Sequence, residues 1–193
     1  MGDLVEDLPV EIRTSREMWV RIRESWKAHG RQLSRPGFRA VAVHAFGQWR
    51  MTVRPRVLRM VLSGVYRMLY WRCCVVYGIE LPYTVRLGAR VIFEHQKGIV
   101  VHGNSVIGDD CIIRHGVTLG NRYLNRSADA PILGRRVNVG AGAVILGRVT
   151  LGDDVRVGAN AVVLFDVPED STVVGPKAQV LDDRELSGLT RII

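Results

Sequence analysis

The sequence predicts a mainly β protein, a parallel β-solenoid preceded by an α-helical N-terminal part. Three observations carry that prediction. From Leu133 onward an apolar lead residue recurs every sixth position, at Leu133, Val139, Ile145, Leu151, Val157 and Val163. A small or β-branched residue returns four places after each lead, from Val137 to Val167, and glycine follows the lead at Gly134, Gly140, Gly152 and Gly158. Residues before about position 80 follow helical spacing instead.

A period of six fits neither a helix nor an alternating strand. Each six-residue unit then forms one flat side of a coil, and stacked coils bury a continuous core. The lead residue points inward, and the glycine helps to turn the corner. The frame extends upstream through Val101, Ile107, Ile113 and Leu119, and more weakly through Leu87 and Phe93. The domain boundaries expected are residues 1–80 for the helices, 81–181 for the coils with a loop at 122–131, and 182–193 for a C-terminal tail.

In the helical part Ser15 is placed to cap a segment running through His29. The Arg35-Pro36-Gly37 stretch precedes a second helix ending near Arg50, and Pro55 opens a third that reaches about Tyr77. In the third, Leu58, Val61, Leu62, Val65, Leu69 and Cys73 trace an apolar stripe.

The formal net charge of +8 is concentrated here: residues 1–80 hold 14 Lys and Arg against 7 Asp and Glu. A basic face of this kind is most simply a solvated surface beside the coils, with peripheral contact to a membrane as the alternative. No nucleic-acid-binding motif accompanies the charge. Three cysteines, two of them adjacent at Cys73 and Cys74, form no disulfide framework and show no zinc spacing. The start is acidic and lacks an apolar signal core, and Arg59, Arg67 and Arg72 interrupt the most apolar stretch. A cytoplasmic location, or a peripheral one at the inner face of the membrane, is expected.

Two histidines hold equivalent places in the repeat. His95 lies two residues after lead position Phe93, and His115 two after Ile113. One full coil separates them, with two extra residues around Lys97 to Val100. They are therefore expected to stack on neighbouring coils, roughly 4.8 Å apart, within reach of one substrate. His102 falls on another side and reads as structural, while His29 and His44 lie in the helices and follow no pattern.

From Gly78 onward the chain resembles the serine acetyltransferase family and its exopolysaccharide relatives among hexapeptide acyltransferases. The resemblance rests on GIELPYTVRLGARVIFEHQKGIVV, VTLGN, VNVGAGAVILGRVTLGDDVRVGANAVV and DVPEDSTVVGPKAQV, with RPGFRAVAVHAFGQWR similar to that family's helical region. It implies a left-handed parallel β-helix, a homotrimer or a dimer of trimers, acetyl-CoA bound between subunits as acyl donor, and no metal. By the same resemblance His95 matches the general base, Glu80 the carboxylate that orients it, and Glu94 an acidic residue on the substrate side. Ala141, Gly142, Ala159, Asn160 and Lys177 fall where relatives hold the donor.

Serine acetyltransferases carry Asp-Arg-His-Pro after a glycine-rich loop, with the arginine holding the amino acid's carboxylate. Here Ala128-Asp129-Ala130-Pro131 stands in that place. An acid there would repel a carboxylate, so free serine is expected to be a poor acceptor. The segment IIRHGVTLGNR instead resembles the colanic acid acetyltransferases. The first expectation is therefore O-acetylation of a sugar or exopolysaccharide precursor, and serine O-acetylation is the alternative. His115 is expected to be a second catalytic group, and Arg114, Asn121, Arg122 and Asp129 to line the acceptor side. Two other classes fit the coil: a metal enzyme of the γ-carbonic anhydrase type using His95, His102 and His115, and a non-catalytic trimeric scaffold.

Overall fold

A computed structural model of the chain describes residues 9, 11–126 and 128–177. The expected tail at 182–193 lies outside them.

Among the described residues three helices come first: α1 (Ser15–Ala28), α2 (Pro36–Arg50) and α3 (Arg56–Arg72), the last continued by a π-helical turn Cys73–Tyr77. The cap of α1 is Thr14 rather than Ser15. Its hydroxyl accepts from the Glu17 amide at 3.2 Å, and the Glu17 carboxylate accepts from the amides of Arg13 and Thr14 at 2.7 and 3.1 Å. Such a reciprocal box contributes about 1 kcal/mol. Pro36 opens α2 at a position that needs no amide donor. Gly78, left-handed at φ 63°, ends the third helical run.

Among the described residues fourteen short strands follow. Three parallel sheets each take one strand from successive coils. The first is β1 (Ile79–Glu80), β4 (Ile99–Val101), β7 (Thr118–Gly120), β10 (Val144–Leu146) and β13 (Val162–Val163). The second is β2 (Arg86–Leu87), β5 (Val106–Ile107), β8 (Ile132–Leu133) and β11 (Thr150–Leu151). The third is β3 (Ile92–Glu94), β6 (Ile112–Arg114), β9 (Asn138–Val139), β12 (Arg156–Val157) and β14 (Thr172–Val173).

The six-residue lead positions are the rungs of the core. Val101 pairs with Leu119, Leu119 with Ile145 and Ile145 with Val163, all buried. Phe93, Ile113, Val139 and Val157 form the matching column in the third sheet.

The glycines after the leads act differently from expectation. A Cβ at Gly108 would sit 2.3 Å from the Gly134 carbonyl oxygen of the next coil, so these glycines are demanded by close stacking rather than by a left-handed backbone. The left-handed residues at that corner are Arg90, Asp110, Arg136, Asp154 and Asp170, with φ of 55–59°. Their side chains answer one another across coils. Arg90 Nε donates to Asp110 at 2.6 Å and Arg136 Nε to Asp154 at 2.8 Å, and the arginines hold both carboxyls below the usual carboxylate range.

The first coil has no earlier coil to pair with, and the helices close its open edge. His44 Nε2 donates to the Val85 carbonyl at 2.9 Å and Gln48 to the same oxygen at 3.2 Å. Arg21 donates to the carbonyls of Leu87 and Gly88. The Phe93 amide donates to His29 Nε2 at 3.3 Å. Groups that would template another chain are thus satisfied internally.

The stripe expected on α3 is only partly a core face. Tyr66, Cys73 and Tyr77 turn inward, whereas Leu58, Val61 and Val65 are exposed. The hydroxyls of the buried Tyr66 and Tyr77 accept from the Tyr83 amide at 3.2 Å and from Arg39 Nη1 at 2.6 Å, so large amphipathic rings displace the smaller aliphatics from the core side.

Candidate active site

The corner between the third sheet and the first carries the two patterned histidines. Because β3 pairs with β6 through Phe93–Ile113 and Glu94–Arg114, the next residues of each strand arrive one above the other. The rings of His95 and His115 meet edge to face, 5.8 Å between centroids and 84° between planes. Both imidazoles are exposed.

The same register continues through Val139 and Val157, so Ala141 and Ala159 occupy the next two places down this corner. Beside them Gly142 is left-handed at φ 70° and Asn160 at φ 55°. A Cβ at Gly142 would lie 2.2 Å from Asn160 Oδ1. Ala141 and Ala159, expected on the donor side, therefore prolong the histidine column with methyl side chains that an extended ligand can pass, while Asn160, expected there too, packs its side chain against Gly142. Lys177 follows β14 and is exposed.

Glu94 and Arg114 face each other directly. Arg114 Nε lies 3.4 Å from Glu94 Oε2, and Arg114 Nη1 donates to Asn138 Oδ1. Both groups expected to meet substrate are thus engaged with each other along the third sheet. Glu80 stands exposed at the start of the first sheet, its charge felt by Tyr70 and Cys74. Segment 97–99 folds back as the Lys97 and Ile99 amides donate to the Tyr77 and Gly78 carbonyls at 2.9 and 3.0 Å, which brings the chain just after His95 alongside the approach to Glu80. Among the described residues no hydrogen bond joins Glu80 to His95; such bonds often tighten only when substrate binds.

His95 is left-handed at φ 55°. For a residue with a Cβ this costs about 1–2 kcal/mol, so its backbone must be held by its surroundings. The holding groups are ones that spacing could not reveal. Gly37 of α2 presses on the Phe93 carbonyl, where a Cβ would stand 2.1 Å away, and buried His29 accepts from the Phe93 amide. Burial pushes the pKa of His29 down. The ring therefore acts here as a neutral acceptor, with Nδ1 donating to the Ser25 carbonyl at 2.8 Å.

The loop lies elsewhere. It joins β7 to β8 at the opposite end of the first sheet, and the structure describes it except for residue 127. Asn121 Nδ2 donates to the Tyr123 carbonyl at 3.0 Å, and the guanidinium groups of Arg122 and Arg126 stand 5.3 and 5.7 Å from the Tyr123 ring. Asp129 is half-buried. Ala128 helps to line a cavity of about 790 Å³ with Arg13, Tyr83, Arg86 and Asn104. His102 belongs to this end too, its Nδ1 accepting from the Asn104 amide at 3.2 Å. Within one chain, then, the acceptor-side residues Asn121, Arg122 and Asp129 do not join the histidine pair. Neither do the three histidines converge: among the described residues no group of three His, Cys, Asp or Glu is placed to hold a metal ion.

Residues 130–164 match the bacterial transferase hexapeptide model, described as six repeats. Over these residues the coils thus carry the repeat of bacterial hexapeptide transferases. Among curated relatives, the serine acetyltransferase of Synechococcus elongatus is 38% identical over 146 residues, covering 76% of this chain and 57% of that protein. The serine acetyltransferase of Helicobacter pylori strain J99 is 48% identical over 104 residues, 54% of this chain and 61% of its own. Over the same length, a provisionally named colanic acid biosynthesis acetyltransferase, WcaB of Escherichia coli K12, is 45% identical and is covered to 64%. The chain thus spans 57–64% of the length of these three relatives. Among solved structures, soybean serine acetyltransferase apoenzyme superposes with a TM-score of 0.70 at 28% identity, covering 86% of this chain and 70% of that one. The Neisseria gonorrhoeae enzyme in complex with serine gives 0.67 at 28% identity, with the same coverages.

Proposed function

We propose that this protein is an acetyl-CoA-dependent O-acetyltransferase of the hexapeptide transferase family. One observation carries the reading: two exposed imidazoles meet at a corner that continues into Ala141 and Ala159. Acetyl transfer needs a base beside a surface along which an extended thioester ligand can lie. The imidazole of His95 takes the acceptor's hydroxyl proton as that oxygen forms a bond to the thioester carbonyl carbon. The carbon–sulfur bond then breaks, and the thiolate leaves and takes up a proton. His115, 5.8 Å away, is the neighbouring donor for the oxyanion that develops. Arg114 is less suited, since Glu94 already answers it.

For the acceptor, serine has the broader support. Most of the relatives, and the solved structures above, are named serine acetyltransferases. This reverses the first expectation, a sugar hydroxyl. The sugar reading keeps two supports, Asp129 in place of a carboxylate-binding arginine and the WcaB relatives. Because the loop lies across the first sheet from His95, either acceptor would be held by one subunit's loop against a neighbour's histidines, in keeping with a trimer.

Thiol release from acetyl-CoA by the full chain tests the reading, with serine and soluble glycans offered as acceptors and His95→Ala as control. Turnover that depends on acceptor and on His95 is expected. Equal thiol release by wild type and His95→Ala with every acceptor would remove the enzymatic reading and leave a scaffold.

A further inference from the structure

The face of α3 that turns away from the coils is apolar and uncovered. Val57, Met60, Met68 and Trp71 are 62–71% exposed, and Val61 and Gly64 lie between them. At 100° per residue these six share one side of the helix, opposite Tyr66 and Cys73. A contiguous patch of this size on a helix about 25 Å long marks an interaction surface.

The charge around it is of one sign. Between Glu24 and Glu80 the sequence has ten Lys and Arg and no Asp or Glu. On the helix Arg56 and Arg67 border the apolar face on one side and Arg72 on the other.

A cavity of about 580 Å³ opens beside this face, lined by Arg50, Arg56, Arg59 and Arg67 with Met60 at the shared edge. Arg50 is 94% buried, its guanidinium 4.3 and 4.5 Å from the Tyr66 and Tyr83 rings, and its Nε has no hydrogen-bond partner. Its Nη1 donates to Ser63 Oγ at 3.0 Å and to Met51 Sδ at 3.1 Å, but among the described residues no acid pairs with its charge, and a buried cation is costly unless an anion meets it. Four arginines without an acid make that anion a phosphate-like group.

We propose that α3 is a membrane-interfacial helix whose apolar face lies in the headgroup region of an anionic bilayer, the arginine cavity beside it receiving a lipid phosphate. Among the described residues no helix is long and apolar enough to cross a membrane, so the helix lies on the surface. A second copy seated on the same face would bring arginines against arginines. A nucleic acid would answer the arginines but leave Met60, Met68 and Trp71 in water. An anionic bilayer answers both features, and the reading is independent of the acyl acceptor.

Vesicle co-sedimentation of the full chain tests this, using phosphatidylcholine with and without phosphatidylglycerol. Binding only to the phosphatidylglycerol vesicles, weakened by salt, is expected. Met68→Glu should lower the affinity at least about ten-fold, since it removes one buried apolar anchor. Arg56→Ser and Arg67→Ser should each lower it about five-fold. All three side chains are exposed, and unchanged thermal melting of the variants confirms folding. Failure to bind phosphatidylglycerol vesicles, or equal binding to both kinds, overturns the proposal. So does release from vesicles by inorganic phosphate at constant ionic strength, which would make the cavity a site for a soluble anion. A fall in oligomer size on Met68→Glu, without vesicle binding by the wild type, would assign the face to contact between copies and equally overturn it.

Discussion

His95 and His115 stand one coil apart in sequence and 5.8 Å apart in space, edge to face. The in-register pairing of β3 with β6 sets this relationship, and the same register leads on to Ala141 and Ala159. The solenoid therefore places two proton-carrying groups and a strip of accessible backbone along one corner. If His95 is the base and His115 a polar neighbour, the two are not interchangeable. His95→Ala is expected to lower kcat for acetyl transfer by about 10²–10⁴-fold, the range of general-base loss. His115→Asn, which keeps a donor, should lower it by less. Steady-state thiol release separates them, and equal losses would contradict the division of roles.

Acid should loosen the junction between helices and coils. Burial holds His44 down to about 4 from an ordinary 6.5, and its Nε2 donates to the Val85 carbonyl. The unfolded chain takes up this proton near pH 6.5 and the folded chain only near pH 4. The stability that neutral His44 contributes is thus complete above pH 6.5 and is lost as the pH falls through about 4. A shift of this size is worth about 3 kcal/mol. His44→Gln removes the titration while offering another donor. Between pH 7 and 4 the wild type should lose more stability than this variant in urea titrations, and parallel curves would refute the linkage.

The six-residue rhythm made the coils and both histidines legible because each side of the solenoid repeats its own register. It could not reveal Gly37, His29 or Arg21, whose partners lie tens of residues away on an edge that only the folded helices meet. Glycine after the lead residues was visible, but its cause was not. Close stacking at Gly108 and a left-handed backbone at Asp110 are separate demands on neighbouring positions. The direction of the α3 stripe was not legible for a related reason. Apolar spacing defines a face, but Tyr66 and Tyr77, with hydroxyls that need buried partners, decide which face turns inward.

Two glycines in the helices should respond oppositely to alanine. At Gly37 a Cβ would meet the Phe93 carbonyl at 2.1 Å and His29 Nε2 at 2.9 Å. Gly37→Ala must push α2 off β3, at a cost of about 1–3 kcal/mol, and should disturb His95 two residues beyond Phe93. At Gly64, on the open face of α3, nothing lies within 4 Å of an added Cβ. Gly64→Ala should instead stabilise by up to about 1 kcal/mol through helix propensity. Thermal melts of both, with thiol-release rates, check this. A stable, fully active Gly37→Ala would show that the contact does not position the site.

Substitution at Asp129 tests the two acceptors against each other. An amino-acid acceptor brings a carboxylate that a neighbouring carboxylate repels and a guanidinium binds in bidentate fashion. Asp129→Arg should therefore lower KM for serine, by about ten-fold if one charge-assisted pair forms, with little change in kcat. A sugar acceptor has no carboxylate to gain, and the same change should weaken its use. Opposite responses of the two acceptors would identify this loop as the acceptor gate. The loop and His95 lie at opposite ends of the first sheet, so the effect must cross between subunits. Trimers assembled from mixed His95→Ala and Asp129→Arg chains should then hold some sites with an intact His95 and an intact Asp129 loop, and show more glycan activity than the two homotrimers mixed after assembly. An unchanged acceptor profile in Asp129→Arg would exclude this loop from acceptor choice.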